Sequence, residues 1–210
     1  MPEIIDIKVN ADIFPESKSA HGGVRFTLQN NSGQPIPSVH LNYSPRMNQQ
    51  FEFSRPASLT LTDERLDYYI YTFDVPLAPD ETTELTFNFT LGPVGFSNGG
   101  VRSPIKSNGT FFNSMQIFPS FGYNADMEIN GKRLRNKYQL PAKPMALPRD
   151  DVQGKNRSVF GTNLQFTNVD VTLSTAADQM AFSSGDLIKQ WQQNKRNYFH
   201  YKNQAKVQNF

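Results

Sequence analysis

The chain has 210 residues, 21 Lys and Arg against 19 Asp and Glu, a formal net charge of +2, and no cysteine. That length buries a sizeable core as one large β domain or two small ones. The composition excludes disulfides, thiolate metal sites and a cysteine nucleophile, and the near-neutral charge does not point to nucleic acid or an anionic membrane as a partner.

Aromatics make up 12% of the chain and Phe alone numbers 17, while only 19% is charged, so the chain reads as folded and strand-leaning. No apolar run approaches the ~20 residues of a bilayer-spanning helix, so no direct membrane span is expected. The first residues, Met1 to Asp6, lack the basic and apolar regions of a secretory leader.

The first strand is expected over Ile4 to Val9, with Ile5, Ile7 and Val9 on one face. Val24, Phe26 and Leu28 alternate in the next strand, between the turns His21-Gly22-Gly23 and Asn30 to Gly33. Val39, Leu41 and Tyr43 share a face further on. Phe51 and Phe53 mark another strand before Arg55-Pro56, and Leu59 and Leu61 follow on one face. Tyr68 to Phe73 is a dense aromatic strand. After the Pro76 to Glu81 corner, Leu85, Phe87, Phe89 and Leu91 point in while Glu84, Thr86, Asn88 and Thr90 point out, the pattern of a half-buried antiparallel strand.

Arg133 to Tyr138 is expected as a short helix or turn, and the basic residues around it as a solvated face. Residues 140–162 are rich in Pro, Lys, Asp and Gly and read as a surface excursion. Val169, Val171 and Leu173 form another strand face, and Met180 and Phe182 another short strand. Leu187 to Gln192 and Tyr198 to Tyr201 flank Asn194 to Asn197 as a β-hairpin anchored by Trp191. Strand is favoured over helix for Asp186 to Asn194. Short strands with turns about every ten residues define the fold class as an all-β antiparallel sandwich, with at most one or two short helices and a long loop.

The most constrained stretch runs from Asn108 to Tyr123. Asn108-Gly109 is a tight-turn dipeptide. Phe111, Phe112, Met115, Ile117 and Phe118 follow, then Pro119, which cannot donate to a ladder, and Gly122. Two readings stand: a buried strand with a rigid exit corner, or a strand whose turn lines a binding face.

Catalytic sets are missing. His21, His40 and His200 have no metal-binding spacing, so this chain is expected to hold no cofactor and no zinc. There is no nucleophile elbow and no phosphate loop. Asp63-Glu64 and Asp150-Asp151 lie in polar loops, where carboxylates make poor general acids. Asn30-Asn-Ser32, Asn108-Gly-Thr110 and Asn156-Arg-Ser158 match the glycosylation pattern. The residues by themselves favour a binding or structural module over an enzyme. One alternative is a free-standing binding sandwich of the carbohydrate-binding or adhesin-like kind.

Two segments carry a family resemblance: Pro76-Leu-Ala-Pro-Asp-Glu-Thr, Gly95-Phe-Ser-Asn98, Asn108-Gly-Thr-Phe-Phe112 and Phe118-Pro-Ser-Phe-Gly-Tyr123; then Val171 to Gln179 with the hairpin ending Arg196 to Tyr201. They resemble the N-terminal β-sandwich domain of aminopeptidase N-type zinc metallopeptidases over roughly residues 66–210. That family closes the domain's binding strand with phenylalanine-proline-cysteine-phenylalanine-aspartate-glutamate-proline. Here Ser120 stands for the cysteine and Gly122-Tyr123 for the acidic pair, a departure similar to the bacterial branch fused to an ABC-type transporter permease.

The resemblance implies one sandwich over residues 1–210, an excised soluble domain without catalytic residues. Its partner would be the missing catalytic domain of the same polypeptide, which holds the zinc and takes a peptide substrate, in a bacterial, membrane-anchored parent. Counting back from Pro119, it places Asn108 and Thr110 at the substrate's amino terminus, where the family carries glutamine or glutamate. Phe111, Phe112 and Tyr123 would form the interface to the catalytic domain.

Overall fold

The computed structural model describes residues 1–43, 50–93, 104–113, 117–122, 128–143, 149–151 and 167–207. Tyr123, Met115 and most of the expected excursion (144–148 and 152–162) lie outside the described residues. Among the described residues, eleven strands and one short helix run in chain order: β1 (Glu3–Phe14), β2 (Ser19–Gln29), β3 (Ile36–Asn42), β4 (Gln50–Phe53), β5 (Ala57–Asp63), β6 (Tyr68–Leu77), β7 (Thr82–Leu91), β8 (Ser120–Phe121), α1 (Lys132–Lys137), β9 (Asn168–Ala176), β10 (Asp186–Gln193) and β11 (Arg196–Lys202).

These strands build a sandwich of two unequal sheets. The large sheet has seven strands in the order β10-β11-β9-β1-β2-β7-β4, and the small sheet four in the order β5-β6-β3-β8. Every pairing is antiparallel except β1 with β9. The expected all-β sandwich is therefore observed.

Alternation explains the core. Val24, Phe26 and Leu28 of β2 and Leu85, Phe87 and Phe89 of β7 are buried, and their sequence neighbours face out. β1 departs from the expected phase. Its register to β2 slips between Ile4 and Asp6, so Ile5 is the extra residue of a bulge. Ile4, Ile7, Val9, Ala11 and Ile13 are the buried set, and Ile5 is not among them. A second bulge lies between Leu59 and Leu61 of β5, and both leucines are exposed. β5 is an edge strand paired to β6, and residues 58–62 are exposed on both of its faces.

Among the described residues, the ring contacts between the sheets fall on one half of the large sheet. Phe53 meets Tyr71 and Phe73, Phe51 meets Tyr43 and Tyr71, and Phe26 meets Phe118 and Phe121. All the large-sheet rings in these pairs belong to β4 and β2. The small sheet thus lies over the β4–β7–β2 half, and the β9–β11–β10 half extends beyond it.

The described residues of the aromatic run before Pro119, 111–113 and 117–118, are not in a strand. Among the described residues from Asn108 to Gly122 only Ser120–Phe121 forms a strand, paired with Leu41 and Asn42 of β3. Pro119 precedes this strand and does not terminate one. Gly122 comes next with φ of +74, a left-handed backbone that favours glycine, and its N–H donates to the His40 carbonyl.

α1 matches the expected short helix, but its basic residues do not all face solvent. Arg135 is buried. Its guanidinium donates to the Pro141 and Ile129 carbonyls at 2.8 and 2.7 Å and pairs with Glu128 at 3.3 Å. Lys143 reaches Asn130 Oδ1 at 2.7 Å. Residues 128–143 are held as a unit by these charge-assisted bonds, because Arg135 supplies a fork of donors to otherwise unpaired carbonyls.

Candidate interface at the uncovered side of the large sheet

Where the small sheet stops, two loops take over the inner face. The first spans 104–113. Ile105 is fully buried in a satellite cluster with Ile13 and Ala20, against which Leu91 and Phe112 pack. Lys106 to Thr110 closes as a turn: the Thr110 hydroxyl accepts from the Lys106 N–H at 3.1 Å and donates to its carbonyl at 3.3 Å. The second loop, 177–185, comes after β9. Asn197 donates to the Ala177 and Gln179 carbonyls at 3.0 and 2.8 Å, and the Tyr201 hydroxyl donates to the Ala181 carbonyl at 3.1 Å. Burial pushes the Tyr201 phenol above its ordinary value. Met180 and Phe182 therefore lie in a loop, and the short strand expected for them is absent because 177–185 spends its backbone on side chains of β11.

A hydrogen bond joins the loops: Gln179 Nε2 donates to the Ser107 carbonyl at 2.9 Å. Together they present Phe111, Phe182 and Met180, which are 79%, 73% and 64% exposed. Leu187 of β10 pairs in register with buried Tyr201, so it lies on the same inner face, and it is also exposed. A large sheet that outruns its partner thus carries an apolar overhang.

The structure separates the expected site residues. Asn108 is exposed at the turn and makes no hydrogen bond within the described residues. Thr110 is half-buried and engaged in closing that turn. Phe111 faces solvent, whereas Phe112 packs on both apolar clusters. Tyr123 lies outside the described residues. Met180 and Phe182 are the surface residues that sequence reasoning missed. Their alternation imitates a strand, and only the exposure of the loop distinguishes the two.

Other polar clusters do structural work. Ser174 donates to Asp12, and Arg196 donates to Ser174 Oγ and the Ile13 carbonyl while lying over the Phe14 ring. His21 lies 3.6 Å from the other Asp12 oxygen. The serine hydroxyl points at the carboxylate and not at the imidazole, so the serine–imidazole hydrogen bond of a catalytic triad is not made here. This clasp ties β9, β1, β2 and β11 together. His200 pairs with Asp170 at 2.8 Å. Among the described residues no three His, Asp or Glu side chains gather as metal ligands. No helix among them is long and apolar enough to cross a membrane.

The outer face of the large sheet holds a shallow polar trough of about 720 Å³ over β1, β2, β7 and β4, lined by Lys8, Asn10, Arg25, Gln50, Glu52 and Asn88 among others. Gly23 forms part of its lining.

No protein-family model matches the sequence, and no curated protein matches it. Solved structures do match the fold. The M1 zinc metallopeptidase from Deinococcus radiodurans is similar over 99% of this chain at 13% identity, with a TM-score of 0.55. A mutant of that enzyme bound to a Tyr-Ser-Ala substrate gives the same values. A two-domain M1 zinc metallopeptidase mutant bound to L-tryptophan matches at 13% identity with a TM-score of 0.53. This chain spans 40% of the length of each. The fold is thus one found within M1 zinc metallopeptidases.

Proposed function

We propose that this chain is the non-catalytic N-terminal sandwich domain of a zinc aminopeptidase-like protein and packs on a catalytic domain through its apolar overhang. The observation that carries this reading is the pair of linked loops exposing Phe111, Met180 and Phe182. Clustered apolar surface of this kind marks interaction sites. The partial span of the M1 structures supports it further, because a catalytic domain would supply the remainder.

In this reading Asn108 and Thr110 help shape the pocket around a peptide substrate's amino terminus, and the zinc belongs to the catalytic domain. The parent is a bacterial, membrane-anchored fusion with an ABC-type permease, a reading supported by Ser120 and Gly122-Tyr123 in place of the family's usual residues. Residues 140–162 act as a lid or linker at the domain boundary, and Arg135 and Lys143 fix the start of that segment.

The test is to read the parent gene beyond residue 210 and to express the downstream segment together with this chain. A downstream HExxH segment whose product co-elutes with the sandwich is expected. The double variant Phe111→Ser, Phe182→Ser should weaken that association by about tenfold or more, as loss of central aromatic anchors does. Absence of HExxH, or undiminished association of the variant, refutes the proposal. The trough supports a second reading as a free-standing binding module. It predicts saturable binding of a neutral oligosaccharide that Asn88→Ala abolishes.

A further inference from the structure

Three Asn-Gly pairs occur in the chain, at 98–99, 108–109 and 130–131, and the first lies outside the described residues. An asparagine followed by glycine is prone to lose its amide, because glycine has no Cβ to hinder the backbone nitrogen that attacks the side chain. Folding decides which pair can react. Asn130 Oδ1 is held by Lys143 Nζ at 2.7 Å, and Gly131 is fixed as the N-cap of α1, its carbonyl accepting from the Arg135 N–H at 2.9 Å. Asn108 is unlike it in every respect. Its side chain is exposed and makes no hydrogen bond within the described residues, Gly109 is exposed, and a Cβ built on Gly109 would meet nothing within 4 Å. The clamp between Lys106 and Thr110 closes the turn around the pair without engaging either residue.

We propose that Asn108 is a site of spontaneous deamidation in the folded chain. The Gly109 backbone nitrogen attacks the Asn108 side-chain carbonyl carbon. A new N–C bond forms, the Cγ–Nδ2 bond breaks, and ammonia departs carrying the amide proton. Water then opens the cyclic imide at either carbonyl, giving aspartate or isoaspartate, so the net change is amide plus water to carboxylic acid plus ammonia. The product places a negative charge beside exposed Phe111. By the isoaspartate route the main chain also gains a carbon between Lys106 and Thr110, which breaks the hydroxyl clamp. The turn thereby becomes an ageing switch on the apolar overhang: a buried, unpaired carboxylate opposes docking there. The chemistry depends on the loop geometry and not on the identity of the docking partner.

The experiment is incubation of the purified chain in mildly alkaline buffer, with peptide mass spectrometry and isoaspartate detection over time. Synthetic peptides carrying each Asn-Gly pair run alongside. The Asn108 peptide from the folded protein should gain about one mass unit at close to the rate of its free counterpart, and the Asn130 peptide should lag well behind its own. Gly109→Ala should slow the conversion several-fold with no effect at Asn130. The proposal fails if Asn108 stays amidated while its synthetic peptide converts, if Asn130 converts first, or if Gly109→Ala leaves the rate unchanged.

Discussion

Replacing Asn30 by Ala removes a buried side chain that makes four hydrogen bonds. Asn30 is fully buried at the end of β2. Its Nδ2 donates to the Gln34 and Leu77 carbonyls at 2.7 and 2.8 Å, and its Oδ1 accepts from the Ser32 N–H and hydroxyl at 3.0 and 2.7 Å. The residue pins the turn after β2 of the large sheet to the end of β6 in the small one. Alanine leaves the buried Leu77 carbonyl without this donor, a loss of about 1–3 kcal/mol, and removes further bonds worth about 1 kcal/mol net. The total is about 2–4 kcal/mol, which for a chain of this size lowers Tm by roughly 5–15 °C. Asn30→Asp keeps the acceptor but turns the donor into a charge facing two carbonyls. It should cost at least as much at neutral pH. Those carbonyls raise the new carboxyl's pKa, so its deficit should shrink as pH falls and the group regains a proton to donate.

Urea titration followed by the fluorescence of Trp191, the single tryptophan, measures both variants. An Asn30→Ala variant within ~0.5 kcal/mol of wild type, the range of inert surface changes, refutes the reasoning. So does an Asp variant more stable than the Ala variant at neutral pH. The same geometry makes the Asn30-Asn-Ser32 pattern a poor glycan acceptor in the folded state, because its amide nitrogen is already committed.

Gly22→Ala should cost about 3 kcal/mol or more, because its Cβ would lie 2.1 Å from the Asn10 carbonyl oxygen and 3.0 Å from Ala11 Cα; a variant with unchanged Tm contradicts this. Lys195 of the β10–β11 hairpin has φ of +59 after Asn194 at +50, so Lys195→Gly should relieve left-handed strain and raise stability by about 0.5–1 kcal/mol, read as an increase in Tm. Burial lifts the phenols of Tyr43, Tyr71 and Tyr201 above the ordinary 10.0, with neighbouring tyrosines adding to the rise for the first two. Above that pH the unfolded chain gives up protons that the folded chain keeps, so stability should fall as pH climbs past it. Urea midpoints across alkaline pH measure the fall, and Tyr43→Phe should flatten it.

The sequence by itself determined the strands whose two faces meet different surroundings. Leu85 to Leu91 and Val24 to Leu28 alternate because one side faces the opposing sheet and the other water, and that period is local information. The β10–β11 hairpin was legible for the same reason, since Asn194 and Lys195 complete a two-residue turn between paired strands. Tertiary structure decided whatever depends on distant chain. The bulge at Ile5 exchanges Ile5 for Ile4 in the core, and either phase looks equally apolar until β2 pairs with it. β1 lies parallel to β9 across more than a hundred and fifty residues, a pairing no local pattern encodes. Arg135 reads as a surface base until the carbonyls of Ile129 and Pro141 fold around it. Phe111 and Phe112 are adjacent and chemically identical, yet one faces solvent and the other packs against the core. The difference arises because the loop packs through Phe112 onto both apolar clusters, and which of two adjacent rings is covered is a property of the whole assembly of strands.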